Sequence, residues 1–346
     1  MYLALDELKE VSIELSTKCN AACPMCSRYR RSWESAEFDT QKPNPLMPLQ
    51  DLPFEVFAQG FNKELISKMN GFIFNGKLGE PLIHPRALEF FEHIRKHSDR
   101  ADITIFTNGS LESPQFWTEL AKILKPTDRV NFSIDGLEDT NSIYRQKTSW
   151  KKIIQSASSF IEAGGSAYWD FIVFRHNEHQ IEEARALANQ LKFKGFEIRK
   201  TNRFKAQEDF QYLDVDGRLQ KLQVPQQKNY VYEYHHEYLH SQPARPDISC
   251  SFKSAGKLFL SYSGKLWPCS YISEYFPSSE SMLNIVSKYG ETFNDLRFHS
   301  IKEILNSPYF STELEKSWQT GECIAKECWK KCSRGHFNIT SVTEAI

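Results

Sequence analysis

VSIELSTKCNAACPMC, residues 11–26, decides how the rest of the chain is read. It opens as a short run of alternating apolar residues, the pattern of a strand with one buried face. It closes on Cys19, Cys23 and Cys26 in a C-x3-C-x2-C spacing. Thiolates are the usual protein ligands of iron–sulfur clusters, and a cubane normally takes four of them. Three thiolates from one tight loop hold three irons and leave the fourth open to another ligand. A zinc site and incidental thiols are the competing readings. Structural zinc favours four ligands in paired C-x2–4-C knuckles, and no second knuckle or nearby histidine completes one here.

Downstream of this loop, short apolar strands alternate with helices. Residues 53–70 place Phe54, Phe57, Phe61, Leu65, Ile66 and Met69 at helical spacing. Strands are predicted at 72–75, 102–106, 129–132, 169–174 and 196–200, and helices at 86–97, 114–124, 150–163 and 180–193. Gly164-Gly165 is a helix stop. That rhythm means parallel strands with crossover helices, and six such units predict an α/β fold built as a partial, TIM-like (β/α)6 barrel. In parallel α/β folds the carboxyl ends of the strands form the ligand face. Gly79-Glu80-Pro81, Thr107-Asn108, Ser133 and Asp135 each follow a strand, so they should converge with the cysteines on one rim. Each of these motifs alone is a turn former; their order after the cysteine loop makes the set. Gly79 lacks a Cβ and lets a ligand approach the backbone. Pro81 biases Glu80 toward an extended conformation, which turns its carboxylate inward to accept hydrogen bonds from an ammonium group.

The cysteine loop resembles the signature of the radical S-adenosylmethionine (SAM) superfamily. The resemblance implies a [4Fe–4S] cluster on Cys19, Cys23 and Cys26 whose open iron is chelated by SAM, and reductive cleavage of SAM to a 5'-deoxyadenosyl radical. The residue before the third cysteine is usually aromatic in the family; here it is Met25, whose thioether can pack against adenine. The family's Gly-Gly-Glu-Pro motif, which contacts the SAM amino group, has Leu78 at its first position here. Gly79, Glu80, Thr107, Asn108, Ser133 and Asp135 are the further SAM-binding candidates. Arg145 resembles an arginine that pairs with the SAM carboxylate, a task suited to a bidentate guanidinium. Near the other end, Cys250 precedes an alternating hairpin with a turn at Ser263-Gly264 that ends at Cys269, and Cys323, Cys328 and Cys332 follow as C-x4-C-x3-C. The G-x4-C ending at Cys269 and the late cysteines resemble the SPASM extension or its shortened Twitch form. This implies one auxiliary [4Fe–4S] cluster on four of Cys250, Cys269, Cys323, Cys328 and Cys332, with zinc as the competing occupant. The expected organisation is a radical SAM core over residues 1–204, a linker over 205–249 and a Twitch/SPASM-like domain over 250–346.

Two polar stretches stand outside this scheme. Residues 27–52 include Arg28, Arg30 and Arg31 and read either as a solvated charged surface or as a lid over the cluster. Residues 202–246 are polar and tyrosine-rich; His235, His236 and His240 there suggest a metal less readily than an aromatic linker.

A chain of 346 residues with 40% hydrophobic residues buries a full core. Its net charge of -1 gives no reason to expect nucleic acid. Mean hydropathy is -0.52, and no run approaches the roughly 18 apolar residues of a membrane helix. The acidic start, MYLALDELKE, does not read as a signal peptide. Eight cysteines without a secretory signal point to metal or redox chemistry and a cytoplasmic setting. The resemblance implies an oxidoreductase- or lyase-type enzyme that abstracts hydrogen from an amino-acid residue of a peptide or protein. Ribosomal peptide maturation by crosslinking, epimerisation or backbone excision is the outcome it suggests. A flavodoxin- or ferredoxin-type reductant is expected, with the peptide brought by a separate recognition partner or captured by loops. The alternative is oxidation or rearrangement of a small molecule such as an aminosugar or nucleotide; a non-enzymatic metal scaffold would leave Glu80, Ser133 and Arg145 without a purpose.

Overall fold

The computed structural model describes residues 1–29, 43–201, 204, 208–231, 247–273, 280–320 and 325–333. Six strands appear where the apolar runs predict them: β1 (Glu10–Ile13), β2 (Gly71–Phe74), β3 (Asp102–Thr107), β4 (Arg129–Ser133), β5 (Ala167–Ile172) and β6 (Gly195–Arg199). Each pairs in parallel with the next. A hairpin, β7 (Phe210–Leu213) and β8 (Leu219–Leu222), stands apart as a two-stranded sheet. Then β9 (Lys257–Leu260) pairs in parallel with β1, and β10 (Leu266–Trp267) runs antiparallel to β9. The result is one eight-stranded, mostly parallel sheet in the order β10-β9-β1-β2-β3-β4-β5-β6, consistent with a partial TIM-like core.

Alternation along each strand sends one set of side chains to the helices and the other away from them. Val11, Ile13, Phe72, Phe74, Ile103, Ile105, Val130, Phe132, Trp169 and Phe171 make the helix-covered face and are fully buried. They meet aromatic side chains of the helices, as in the Trp117–Phe132 and Phe74–Phe91 ring contacts. The opposite, inner face carries Ser12, Glu14, Asn131, Ser133, Asp170 and Glu197, and is polar.

The single helix expected over residues 53–70 is two, Phe54–Gly60 and Lys63–Ile66. Asn62 explains the break: its side chain accepts a hydrogen bond from the Leu65 amide at 3.1 Å and caps a new helix. The hairpin turn falls where expected, with Gly264 at φ +84°, a conformation L-residues rarely adopt. No helix among the described residues is long and apolar enough to cross a membrane.

Candidate active site

The loops after β1 and β2 are locked together by one carboxylate. Glu14, buried just past the end of β1, accepts hydrogen bonds from the amides of Lys77 (3.2 Å), Leu78 (3.0 Å) and Gly79 (3.0 Å). Burial pushes its carboxyl up to about 8, against the pull of those amides. The Glu80 amide in turn donates to the Lys18 carbonyl at 2.7 Å. A Cβ on Gly79 would lie 2.0 Å from the Ser16 carbonyl oxygen and 2.6 Å from that of Lys18. The close approach that requires glycine here is therefore made by the chain's own backbone. Glu14 escaped the sequence reading; its signal is an acid placed directly after an apolar strand.

The three N-terminal cysteines sit on this platform. The Ala21 amide donates to Cys19 Sγ at 3.4 Å, Asn108 Nδ2 reaches the same sulfur at 4.0 Å, and Arg145 Nη1 lies 3.8 Å from Cys23 Sγ. The Cys26 amide closes a turn on the Cys23 carbonyl at 3.0 Å. Donors and a cation thus face the sulfurs, an environment suited to thiolates. Burial still holds the Cys19 thiol far above its ordinary value and pushes Cys23 up to about 11, with Arg145 pulling the other way. Met25 is buried in a small apolar cluster with Cys23, Tyr144, Phe174 and Tyr212, the last from β7. Arg28 and Tyr29 are buried too, which corrects the solvated-surface reading for them. Tyr29 donates to the Ala21 carbonyl at 3.0 Å and Arg28 Nη1 to the Leu78 carbonyl at 3.4 Å. Arg30 and Arg31 lie outside the described residues.

Several of the remaining rim residues bind one another or the cysteine loop. Glu80 is buried, accepts from the Asn108 amide at 2.8 Å and caps the short turn Pro81–Ile83; burial pushes its carboxyl up to about 7. Asn108 Nδ2 donates to Asn20 Oδ1 at 2.8 Å, and Thr107 Oγ1 accepts from the Gly109 amide at 3.0 Å. Asp135 is fully buried, paired with Arg145 Nε at 2.6 Å and accepting from the Ile172 amide at 2.6 Å. Ser133 ends β4 on the inner face, only partly buried.

A second group of thiols gathers where β10 ends. Cys250, Cys269, Cys328 and Cys332 line one small cavity together with Tyr2 and Trp318. The Tyr2 hydroxyl lies 3.5 Å from Cys250 Sγ and donates to the Pro268 carbonyl at 3.1 Å. Cys250 and Cys332 share a hydrogen bond that lowers the first thiol and, with burial, raises the second. Burial pushes Cys269 up to about 11. Lys77 spans the two regions: from the loop held by Glu14 its ammonium reaches Ser270 Oγ and lies 5.0 Å from the Tyr271 ring centre. Cys323 lies outside the described residues, as do His235, His236 and His240. Among the described residues, no three His, Cys, Asp or Glu side chains form a group that could hold a metal ion.

Residues 13–188, half of the chain, match the Radical SAM superfamily, and the chain belongs to it. The family's cofactors are SAM and a SAM-binding [4Fe–4S] cluster. A relative from Pyrococcus furiosus, the tungsten-containing aldehyde ferredoxin oxidoreductase cofactor-modifying protein, is 32% identical over 136 residues. That match covers 39% of this chain and 33% of the relative, so the chain spans about a third of the relative's length. The structure of anSMEcpe with bound AdoMet and Kp18Cys peptide shares the fold: TM-score 0.54, 13% identity, 97% of this chain and 92% of that one. SuiB of Streptococcus suis aligns at a TM-score of 0.46 with 15% identity, over 77% of this chain and 61% of its own.

Proposed function

We propose that this is a radical SAM enzyme of the SPASM/Twitch kind that abstracts hydrogen from an amino-acid residue of a peptide or protein, with one auxiliary [4Fe–4S] cluster. The observation that carries the reading is the convergence of Cys250, Cys269, Cys328 and Cys332 on one cavity at the edge of the radical SAM sheet. The ligands of a cubane bind separate irons, so they surround a volume, as these four do. In this reading residues 1–204 form the radical core, 205–249 the linker and 250–346 the auxiliary domain.

Cys19, Cys23 and Cys26 would hold the first cluster, and Glu80, Thr107, Asn108, Ser133, Asp135 and Arg145 would frame SAM with Gly79 and Met25. When bound, these groups supply reductive cleavage of SAM to a radical that takes hydrogen from the substrate. The chain's own part is to orient and to exclude water. Glu80 offers a buried acceptor for the SAM ammonium, and Glu14 fixes the loop that carries it. Arg145, anchored by Asp135, keeps a positive charge beside Cys23. The apolar cluster of Met25, Tyr144, Phe174 and Tyr212 walls the cysteine loop on another side.

A flavodoxin- or ferredoxin-type reductant would deliver electrons. The peptide substrate accords with the resemblance to SPASM/Twitch enzymes, and the anSMEcpe fold accommodates a bound peptide. A small-molecule substrate is favoured instead by the name of the Pyrococcus furiosus relative, a cofactor-modifying protein. The test is anaerobic reconstitution with SAM, dithionite and each candidate substrate class, following 5'-deoxyadenosine. Stimulation by peptides supports the first reading; stimulation by small molecules alone overturns it.

A further inference from the structure

Barrels of parallel strands normally fill their interior with layers of Val, Ile and Leu. The inner face of β4, β5 and β6 is charged instead. Strand alternation and register place Arg129, Asn131 and Ser133 on β4, Asp170 on β5, and Glu197 and Arg199 on β6 on this one face, with Ser133 opposite Asp170 and Asp170 opposite Glu197. Arg129 Nη2 bonds Glu197, and Arg199 Nη2 lies 3.0 Å from Asp170 Oδ1 and 2.5 Å from Glu197 Oε2. The Arg129 guanidinium also stacks 3.7 Å from the Tyr168 ring centre, which fixes its plane.

Exposure within this network is uneven. The carboxylate side chains are nearly sealed, at 8% exposure for Asp170 and 3% for Glu197, while Arg199 and Arg129 remain 28% and 33% exposed. A molecule entering along the inner face therefore meets guanidinium groups, with their counter-charges behind them.

We propose that Arg129 and Arg199, braced by Asp170 and Glu197, anchor a carboxylate of the substrate on the inner face beside Ser133. This rests on the proposed function and adds the substrate's chemistry to it. Guanidinium and carboxylate match in shape and charge, and paired bonds fix orientation as well as affinity. In a peptide the carboxylate has two sources, an acidic side chain or the chain terminus.

Three probes separate these sources on the anaerobically reconstituted protein with SAM, read by saturation-transfer NMR. N-acetylisoglutamine carries a side-chain carboxylate, N-acetylglutamine a terminal one, and N-acetylglutamine amide neither. One of the two acids is expected to bind about tenfold or more tightly than the neutral amide, as charge-assisted bonds dictate, and which acid wins names the source. Arg129→Gln and Arg199→Gln should each remove that preference while SAM affinity stays unchanged. Equal binding of all three probes, no binding of either acid up to its solubility, or a preference that survives both substitutions overturns the anchor. Should a variant fail to fold, the acid-against-amide comparison on the unaltered protein decides alone. Formation of 5'-deoxyadenosine in the same preparation is scored separately: radical cleavage without a carboxylate preference overturns the anchor only, and the reverse overturns the radical reading.

Discussion

Cys19, Cys23 and Cys26 hang on a single loop after β1, whereas Cys250, Cys269, Cys328 and Cys332 come from three segments far apart in the chain, before β9, after β10 and near residue 330. The first group belongs to a small apolar cluster beneath the β7–β8 hairpin. In the second, Cys269 and Cys328 are part of the main core, among Trp267, Ile272, Leu305 and Leu314. The difference separates chemistry from architecture: altering the loop should cost activity and spare the fold, while altering the second group should cost both.

The largest effect follows from changing Cys19, Cys23 and Cys26 together to Ala. Formation of 5'-deoxyadenosine should vanish and the far-UV circular dichroism stay unchanged; iron should fall from roughly eight to roughly four per chain, since each cube holds four. Persistent SAM cleavage would break the comparison at its first half. Cys328→Ala should remove the other four irons and lower stability by on the order of 1 kcal/mol or more, because it also truncates a buried side chain. Cys323→Ala should keep those irons. The opposite iron counts for these two variants would reassign the fourth ligand.

Gly79→Ala forces a Cβ against two backbone carbonyls. It should destabilise the fold by about 1–3 kcal/mol, read as a lower denaturation midpoint, and disturb the loop that carries Glu80. Glu80→Gln replaces a charge-assisted hydrogen bond worth on the order of 1.5–3 kcal/mol. SAM titration should show about a tenfold loss of affinity, and an unchanged affinity would show that Glu80 serves only Asn108 and Leu82.

The finest test concerns Glu14. Its carboxyl is pushed up to about 8 from an ordinary 4.5, so the stability from its proton is fully present below the ordinary value and drains away as pH rises through 8. Melting temperature should therefore decline across that window, with a shallower decline in Glu14→Gln. Identical slopes would show that another group governs the pH response.

How much of this was legible depended on where the signal sits. Strands β2 to β6 announce themselves as apolar runs, the first three followed by a polar or glycine motif, and Ser263-Gly264 marks the late hairpin. Its partner could not be read, because pairing Lys257 with Glu10 is non-local. The β7–β8 hairpin stayed hidden since its strands, FQYL and LQKL, are only four residues long and the second is largely exposed and lacks alternation. Arg28 read as surface because charge in a polar stretch usually is. Arg129, Glu197 and Arg199 were invisible for a related reason: a charge in a strand reads as solvent-facing until register turns it inward. Cysteine spacing exposed both thiol groups, yet only the structure shows Lys77 reaching from the loop held by Glu14 to Ser270, next to Cys269.

The pairing of β9 with β1 also dictates an order of assembly. During synthesis β1 joins β2 early, but its other edge has no strand to accept until residues 257–260 emerge. Loop closure over so long a span is slow compared with the local pairing that precedes it. An unpaired edge is open to wrong partners for that interval. The cysteine loop, which grows from the same strand, is complete long before its edge is covered. Maturation should therefore proceed from one end of the chain to the other, the first group of thiols placed on a sheet with one open edge and the second gathered only after β9 covers it.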